Sequence, residues 1–366
     1  MIVVFSKKTL GIAGVIAVIA VLFFTFGRKR TEYVVVERAP ISATTQIPAV
    51  LPTTLTDSSS STVISALPVL ANPLTAEPCN NALRRPIAVM LSGDTIARPL
   101  SGIAEADMVF EMPVITGSIT RFMAVFICRD PIEIGSVRSA RHDFIPLARS
   151  LDAIYAHWGG SHFALDLLKK GAIDNIDAMT NPTNAYWRKE GALAPHNGFT
   201  SMSRLLKATR FLQYRLEGHA PLYPHTESVT SIANIAKGSL EVGYPGEFRV
   251  RYEYDSATQL YMRIRGGITE RDKNSGQALQ VRNIVVMRAL SKQIEGDYND
   301  VVLEGSGDVS VYRGGQEMSG RWRKDPKDDA SKLMFIDKDG NEIPFLPGNI
   351  WVHIAEPYTN ITWQAE

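Results

Sequence analysis

Residues 105–128 read EADMVFEMPVITGSITRFMAVFIC, and the runs MVFEMPV and ITRFMAVFI within them have the β-branched and aromatic content of strands. Another strand candidate, PIAVML, precedes them at residues 86–91. Side chains alternate across a strand, so Asp107, Val109 and Glu111 share one face and Met108 and Phe110 the other. Both carboxylates then project the same way beside an apolar layer, where an acid has a raised pKa unless a cation compensates it. Two readings of Glu111 stand: a general acid/base, or an acid that is solvated or tied to an arginine for structure.

Outward from this stretch, strand-like and helical runs alternate across residues 84–214. Residues 143–151 and SHFALDLLKK (161–170) carry helical spacing, with Gly171 as a stop signal, and residues 155–158 read as a short buried strand. Residues 202–212 read as another helix, with Ser201 or Ser203 available as its cap. Beyond Glu247 the pattern changes. FRVRYEYD and QLYMRIRGG alternate around a turn at 255–258, and short strands punctuated by Gly and Asp-Gly follow, with Asp339–Gly340 joining LMFI to EIPF. The expected fold is α+β: a mixed α/β first domain at 81–225, then a mainly β second domain at 240–360.

Ahead of these lies TLGIAGVIAVIAVLFFTF (9–26), uncharged and apolar, flanked by Lys7 and Lys8 before it and Arg28, Lys29 and Arg30 after it. At a rise of about 1.5 Å per residue it reaches most of the way across a bilayer core. Residues 9–27 are expected to form an uncleaved transmembrane anchor behind a cytoplasmic segment 1–8, because a basic cluster follows the run where a signal peptide would show a cleavage site. Basic residues on both flanks leave the orientation open by charge. Residues 28–80, rich in Ser, Thr, Ala and Pro from 41 onward, are expected to be a flexible spacer.

The net charge of +1 and the lack of a basic run beyond the membrane flank argue against nucleic acid as a partner. Neither CxxC nor HExxH occurs, so no metal or cofactor is implied. If residues 86–91 pair antiparallel with residues 122–128, the start of one faces the end of the other, and a Cys79–Cys128 disulfide becomes possible. Such a bond requires an oxidising compartment.

Chemically suggestive residues gather in the first domain. Arg138 and Arg141, three apart in a segment that would begin a helix, can clamp an anionic ligand or bind loop carbonyls and the nearby acids. His157-Trp158-Gly159-Gly160-Ser161 suits a strand-to-helix turn whose glycines let a ligand approach and whose serine caps the helix. It is not the GxSxG elbow, which disfavours a serine hydrolase. His196, in Ala194-Pro195-His196-Asn197, is placed for proton transfer or for an ordinary hydrogen bond.

RPIAVMLSGDTIARPLSGIAEADMVFEMPVITGSITRFMAVF, IGSVRSARHDF, HWGGS and APHN, continued by YEYDSATQLYMR, RNIVVM, GSGDVSVYRGG, GRWRK and FIDKDGNEIPFLPGNIWVHI, resemble the YerB-like family of bacterial lipoproteins, built of two consecutive domains of unknown function. The resemblance covers nearly all of residues 84–356 and implies an extracytoplasmic, membrane-tethered protein. The chain departs from it in two ways. No cysteine follows the apolar run, so anchoring falls to the helix itself, and Thr116-Gly-Ser-Ile-Thr-Arg121 lacks an acid that family members tend to carry.

Together these readings make two expectations. In the first, an envelope protein engages peptidoglycan or an associated glycan. It cleaves the glycan in the sharper version, with Glu111, His157 and His196 catalytic. Asp107, Arg121, Arg138, Arg141, Trp158, Ser161 and Asn197 would bind substrate, Trp158 by stacking on a sugar. In the second, a non-catalytic module regulates an envelope enzyme by protein contact.

Overall fold

The computed structural model describes residues 70–227 and 237–365. The expected segments 1–8 and 9–27 and most of the spacer lie outside them. Among the described residues no helix is long and apolar enough to cross a membrane.

The strand candidates become β1 (Ile87–Ser92), β2 (Met108–Pro113) and β3 (Thr120–Phe126), with β3 antiparallel between the other two. All three are buried on both faces, which is why their sequences read as near-continuous apolar runs. Beyond β1 the sheet continues in parallel through Ile154–His157 and Asn175–Asp177. On the other side β2 pairs in parallel with Ile350–Ala355, Met108 opposite Ile350 and Glu111 opposite His353. Asn283–Arg288, Gly305–Arg313, Gln316–Lys324 and Met334–Ile336 complete a ten-stranded sheet. The two stretches that the sequence separates therefore share their main sheet.

A six-stranded sheet built on Lys237–Gly243, Val250–Asp255, Leu260–Arg265 and Asn360–Ala365 covers part of one face. Its Leu240, Val242, Tyr252 and Tyr261 pack with Val109, Phe122, Ala124 and Trp351. The other face receives α1 (Phe144–Ser150) and α2 (His162–Lys169), whose Phe144, Leu147, Ala164 and Leu168 join Met90, Phe110 and Met123. Fully burying a side chain such as Leu147 contributes about 2 kcal/mol, which holds helices too short to persist on propensity. α3 (Met202–Phe211) turns Met202, Leu205 and Ala208 to the first face, and Ser201 caps it by accepting from the Arg204 N–H. The described chain is mostly β with few helices.

Two expectations need correction. The spacer does not run to residue 80: Ala71 bridges Pro78, Leu74 and Thr75 are fully buried, and Asn72 bonds Asp107. The apolar Leu74 has a core to enter, which composition averaged over the window concealed. Nor do residues 137–141 begin a helix. Their backbone is spent on neighbouring segments, Arg138 N–H to Met90 O at 2.8 Å and Ala140 N–H to Gly159 O at 2.9 Å.

Candidate functional site

Glu111 does not stand in a reaction site. It is fully buried between the two sheets, where Arg263 Nη2 donates to its Oε2 at 2.7 Å, Arg265 Nη2 to its Oε1, and the Thr120 hydroxyl to its Oε1 at 2.7 Å. Burial pushes its carboxyl up, but Arg265 and Arg263 outweigh that and hold it well below the usual range. Glu270 neutralises the second guanidinium charge, bonding Arg263 Nε and Arg265 Nε. His353 completes the group, accepting from or donating to the Tyr252 hydroxyl at 2.7 Å, and burial pushes it down to about 3. A carboxylate this sealed and this acidic cannot serve as a general acid near neutral pH.

Glu111's arginine partners were not found by sequence reasoning, and the pattern misled. In Leu260–Arg265 the buried positions are Tyr261, Arg263 and Arg265, while Met262 and Ile264 take the half-buried face. Hydropathy would have turned the arginines outward.

Several other candidates are structural. His157 is fully buried, Nδ1 at 2.8 Å from Gly159 O and Nε2 at 3.2 Å from Asn175 Oδ1. Trp158 is half-buried and already engaged: Arg188 stacks 4.5 Å above it, and a Cβ on Gly198 would stand 2.5 Å from its ring. Gly160 makes room for a crossing segment, since a Cβ there would lie 3.1 Å from Ala140 Cβ. Ser161 caps α2, accepting from the Ala164 N–H. Asn197 accepts from Arg188 at 2.7 Å. Asp107 does not join Glu111; it accepts from Asn72 Nδ2 and from the N–H groups of Ile127 and Cys128, tying residues 70–80 to the end of β3. Burial pushes it up to about 6 against the pull of those backbone bonds. Cys79 and Cys128, Cα atoms 5.7 Å apart, are joined in a disulfide at the same end of the sheet.

What the structure does bring together is Arg121, Arg138, Arg141 and His196. Ser92 ends β1 directly opposite Arg121 on β3, and residues 136–141 cross above them. Each arginine spends one Nη on a loop carbonyl: Arg121 on Ser139 O at 3.2 Å, Arg138 on Pro195 O at 3.3 Å, Arg141 on Ala140 O at 3.0 Å. Among the described residues none of the three forms an ion pair with a carboxylate, and the buried Nε of each has no hydrogen-bond partner. Ser136 Oγ, buried in the crossing segment, is likewise unpartnered. Arg121 is 4% exposed; burial and the nearby Arg141 and Arg138 push it down to about 9, so it remains charged at neutral pH. Burial and Arg138 also lower His196, which is therefore neutral there.

Asp94 faces Arg121 and Arg138, its Oδ2 accepting from the Ser92 hydroxyl at 2.8 Å and lying 3.9 Å from His196 Nδ1, while Asp143 lies near Arg141. Ser92 Oγ approaches that same Nδ1 at 3.3 Å. Serine and aspartate thus meet one ring nitrogen, whereas a nucleophilic triad needs them on opposite nitrogens. Sequence reasoning missed Ser92 and Asp94. Their signal was the Ser-Gly-Asp following a strand, with Gly93 so close to β3 that a Cβ would stand 2.3 Å from Thr120 O. The cluster lies beyond the carboxyl ends of the parallel strands β1 and Ile154–His157, the place where open sheets of this kind receive ligands.

Residues 74–215 match the family profile described as the N-terminal domain of a protein of unknown function, DUF3048, and residues 240–352 match its C-terminal domain. The chain belongs to this YerB-like family. It is 31% identical over 275 residues to "Putative lipoprotein YerB" of Bacillus subtilis, covering 74% of this chain and 81% of that one. The crystal structure of the YerB protein from Bacillus subtilis is similar to it with a TM-score of 0.71 at 30% identity, covering 80% of this chain and 99% of that chain.

Proposed function

We propose that this is a membrane-anchored, extracytoplasmic cell-envelope protein that engages an anionic wall glycan through Arg121, Arg138 and Arg141. The observation that carries the reading is the three guanidinium groups gathered at the strand ends with no carboxylate paired to them among the described residues. Half-burying cations without partners costs stability, and a bound anion is what offsets it. The Cys79–Cys128 disulfide supports the oxidising side of a membrane. The apolar run at 9–26 and the lipoprotein name of the Bacillus relative support tethering. Because Glu111 is sealed, the reading is engagement of the glycan and not cleavage by that residue.

The test is co-sedimentation of the full chain, in mild detergent, with purified cell wall. Wild type is expected to sediment with the wall, and Arg138→Ala/Arg141→Ala to bind at least about tenfold more weakly. Equal retention of both would overturn the reading. A partner protein crosslinked in cells to both forms alike would then favour regulation of an envelope enzyme by contact.

A further inference from the structure

Resting on that reading, we infer that the group held by the arginine cluster is a dianionic phosphate, a phosphomonoester or diphosphate, and not a carboxylate. Charge balance is the first argument. Arg121, Arg138 and Arg141 bring three positive charges against Asp94, which faces Arg121 and Arg138, and Asp143, which lies near Arg141 but is engaged by the Val301 N–H and His142, so the cluster keeps a positive charge for an anion to balance. A carboxylate or a phosphodiester supplies one negative charge, whereas a phosphomonoester near pH 7 carries about −1.5 to −2.

Shape is the second argument. The arginines come from β3 and from two points on the segment crossing above it, and each is pinned through Nη1 to a different carbonyl. The Nη2 of all three makes no hydrogen bond among the described residues. Forks approaching from separate backbone positions suit oxygens arranged in a tetrahedron. A planar carboxylate is satisfied by one bidentate fork. Arg121 is also largely desolvated, and a compact, strongly charged anion reached past the half-buried Arg138 and Arg141 is the ligand that best offsets removing that cation from water.

The same phosphate can be carried by a sugar or by a lipid, and the probes separate these. The full chain in mild detergent is titrated calorimetrically at neutral pH with methyl phosphate, dimethyl phosphate and acetate. Methyl phosphate is expected to bind at least about tenfold tighter than the other two. Arg138→Ala and Arg141→Ala should each weaken it about tenfold, and Arg138→Lys should restore part of the loss, lysine being a point charge without the fork. N-acetylglucosamine 1-phosphate and vesicles containing phosphatidic acid are compared next. Tighter binding of either supports the assignment and identifies the carrier. Thermal unfolding of each variant checks that it is folded, and Arg121→Met serves as a second probe.

Equal binding of dimethyl phosphate or acetate overturns the dianion while leaving an anion-engaging site in place. Methyl phosphate binding untouched by all three arginine substitutions overturns the assignment outright. Wall retention insensitive to the arginines sinks the broader reading whatever the phosphate titrations give.

Discussion

Two groups of arginines sit in this molecule, one sealed and one half-buried around the buried Arg121, with opposite bookkeeping. Arg263 and Arg265, closed between the sheets, meet Glu111 and Glu270 and reach neutrality within the protein. Arg121, Arg138 and Arg141, at the strand ends, bond loop carbonyls and, among the described residues, form no ion pair with the nearby Asp94 and Asp143. Burial raises the cost of charge in both places. What separates scaffold from candidate binding site is whether the protein supplies the counter-charge itself.

The comparison breaks first at Glu111. Glu111→Gln leaves two buried guanidinium groups sharing one carboxylate and should destabilise by about 3–5 kcal/mol in denaturant titration. If stability is unchanged, the sealed network is not what joins the sheets. The same substitution is consequently a poor probe of catalysis, since loss of activity would follow loss of fold.

Acid sharpens the comparison next. His353 titrates at about 3 in the fold against an ordinary 6.5, so below that ordinary value the unfolded chain takes up a proton that the folded chain refuses. Stability is expected to fall as pH drops from about 6.5 towards about 3, with Glu111 adding the same sign of slope once pH falls below the ordinary carboxylate range. Asp107 and Asp143, both pushed up to about 6 chiefly by burial, oppose this between about 3.8 and about 6. The His353 part is therefore read as a difference. His353→Gln should flatten the decline between about pH 6.5 and 5.5, and an unchanged slope refutes the assignment.

At the open cluster the expected effects on stability are small and those on binding are not. Arg138→Ala/Arg141→Ala should change unfolding free energy by less than about 1 kcal/mol while abolishing anion binding. Arg121→Met should be neutral or stabilising by about 1 kcal/mol, because a buried cation without a paired acid is replaced by an apolar side chain of similar length. Marked destabilisation by Arg121→Met would mean that its bond to Ser139 O is scaffold and that the two clusters differ less than their charges suggest.

The sheet's centre was legible because its strands obey simple rules. β1, β2 and β3 are apolar runs, and the helix caps at Ser161 and Ser201 are local signals. Arg138, Arg141 and His196 were legible as candidates, since their types alone suggest anion or proton chemistry. The role of Glu111 was not, because its counter-ions lie 152 and 154 residues away on a strand whose hydropathy points them outward. His157 and Trp158 misled for a related reason: the partners that occupy them, Asn175 and Arg188, arrive from separate strands. Local pattern reports which face a residue is on, and long-range pairing decides what that face meets.

The parallel pairing of β2 with Ile350–Ala355 sets an order of events during synthesis. When β2 emerges, its partner is still more than two hundred residues from being made, so one edge of the growing sheet stays open and Glu111 waits without its cations. An exposed apolar edge invites pairing with other chains. Closure of that edge must await nearly the last strand, Ile350–Ala355, so the central sheet is completed only when almost the whole chain has been made.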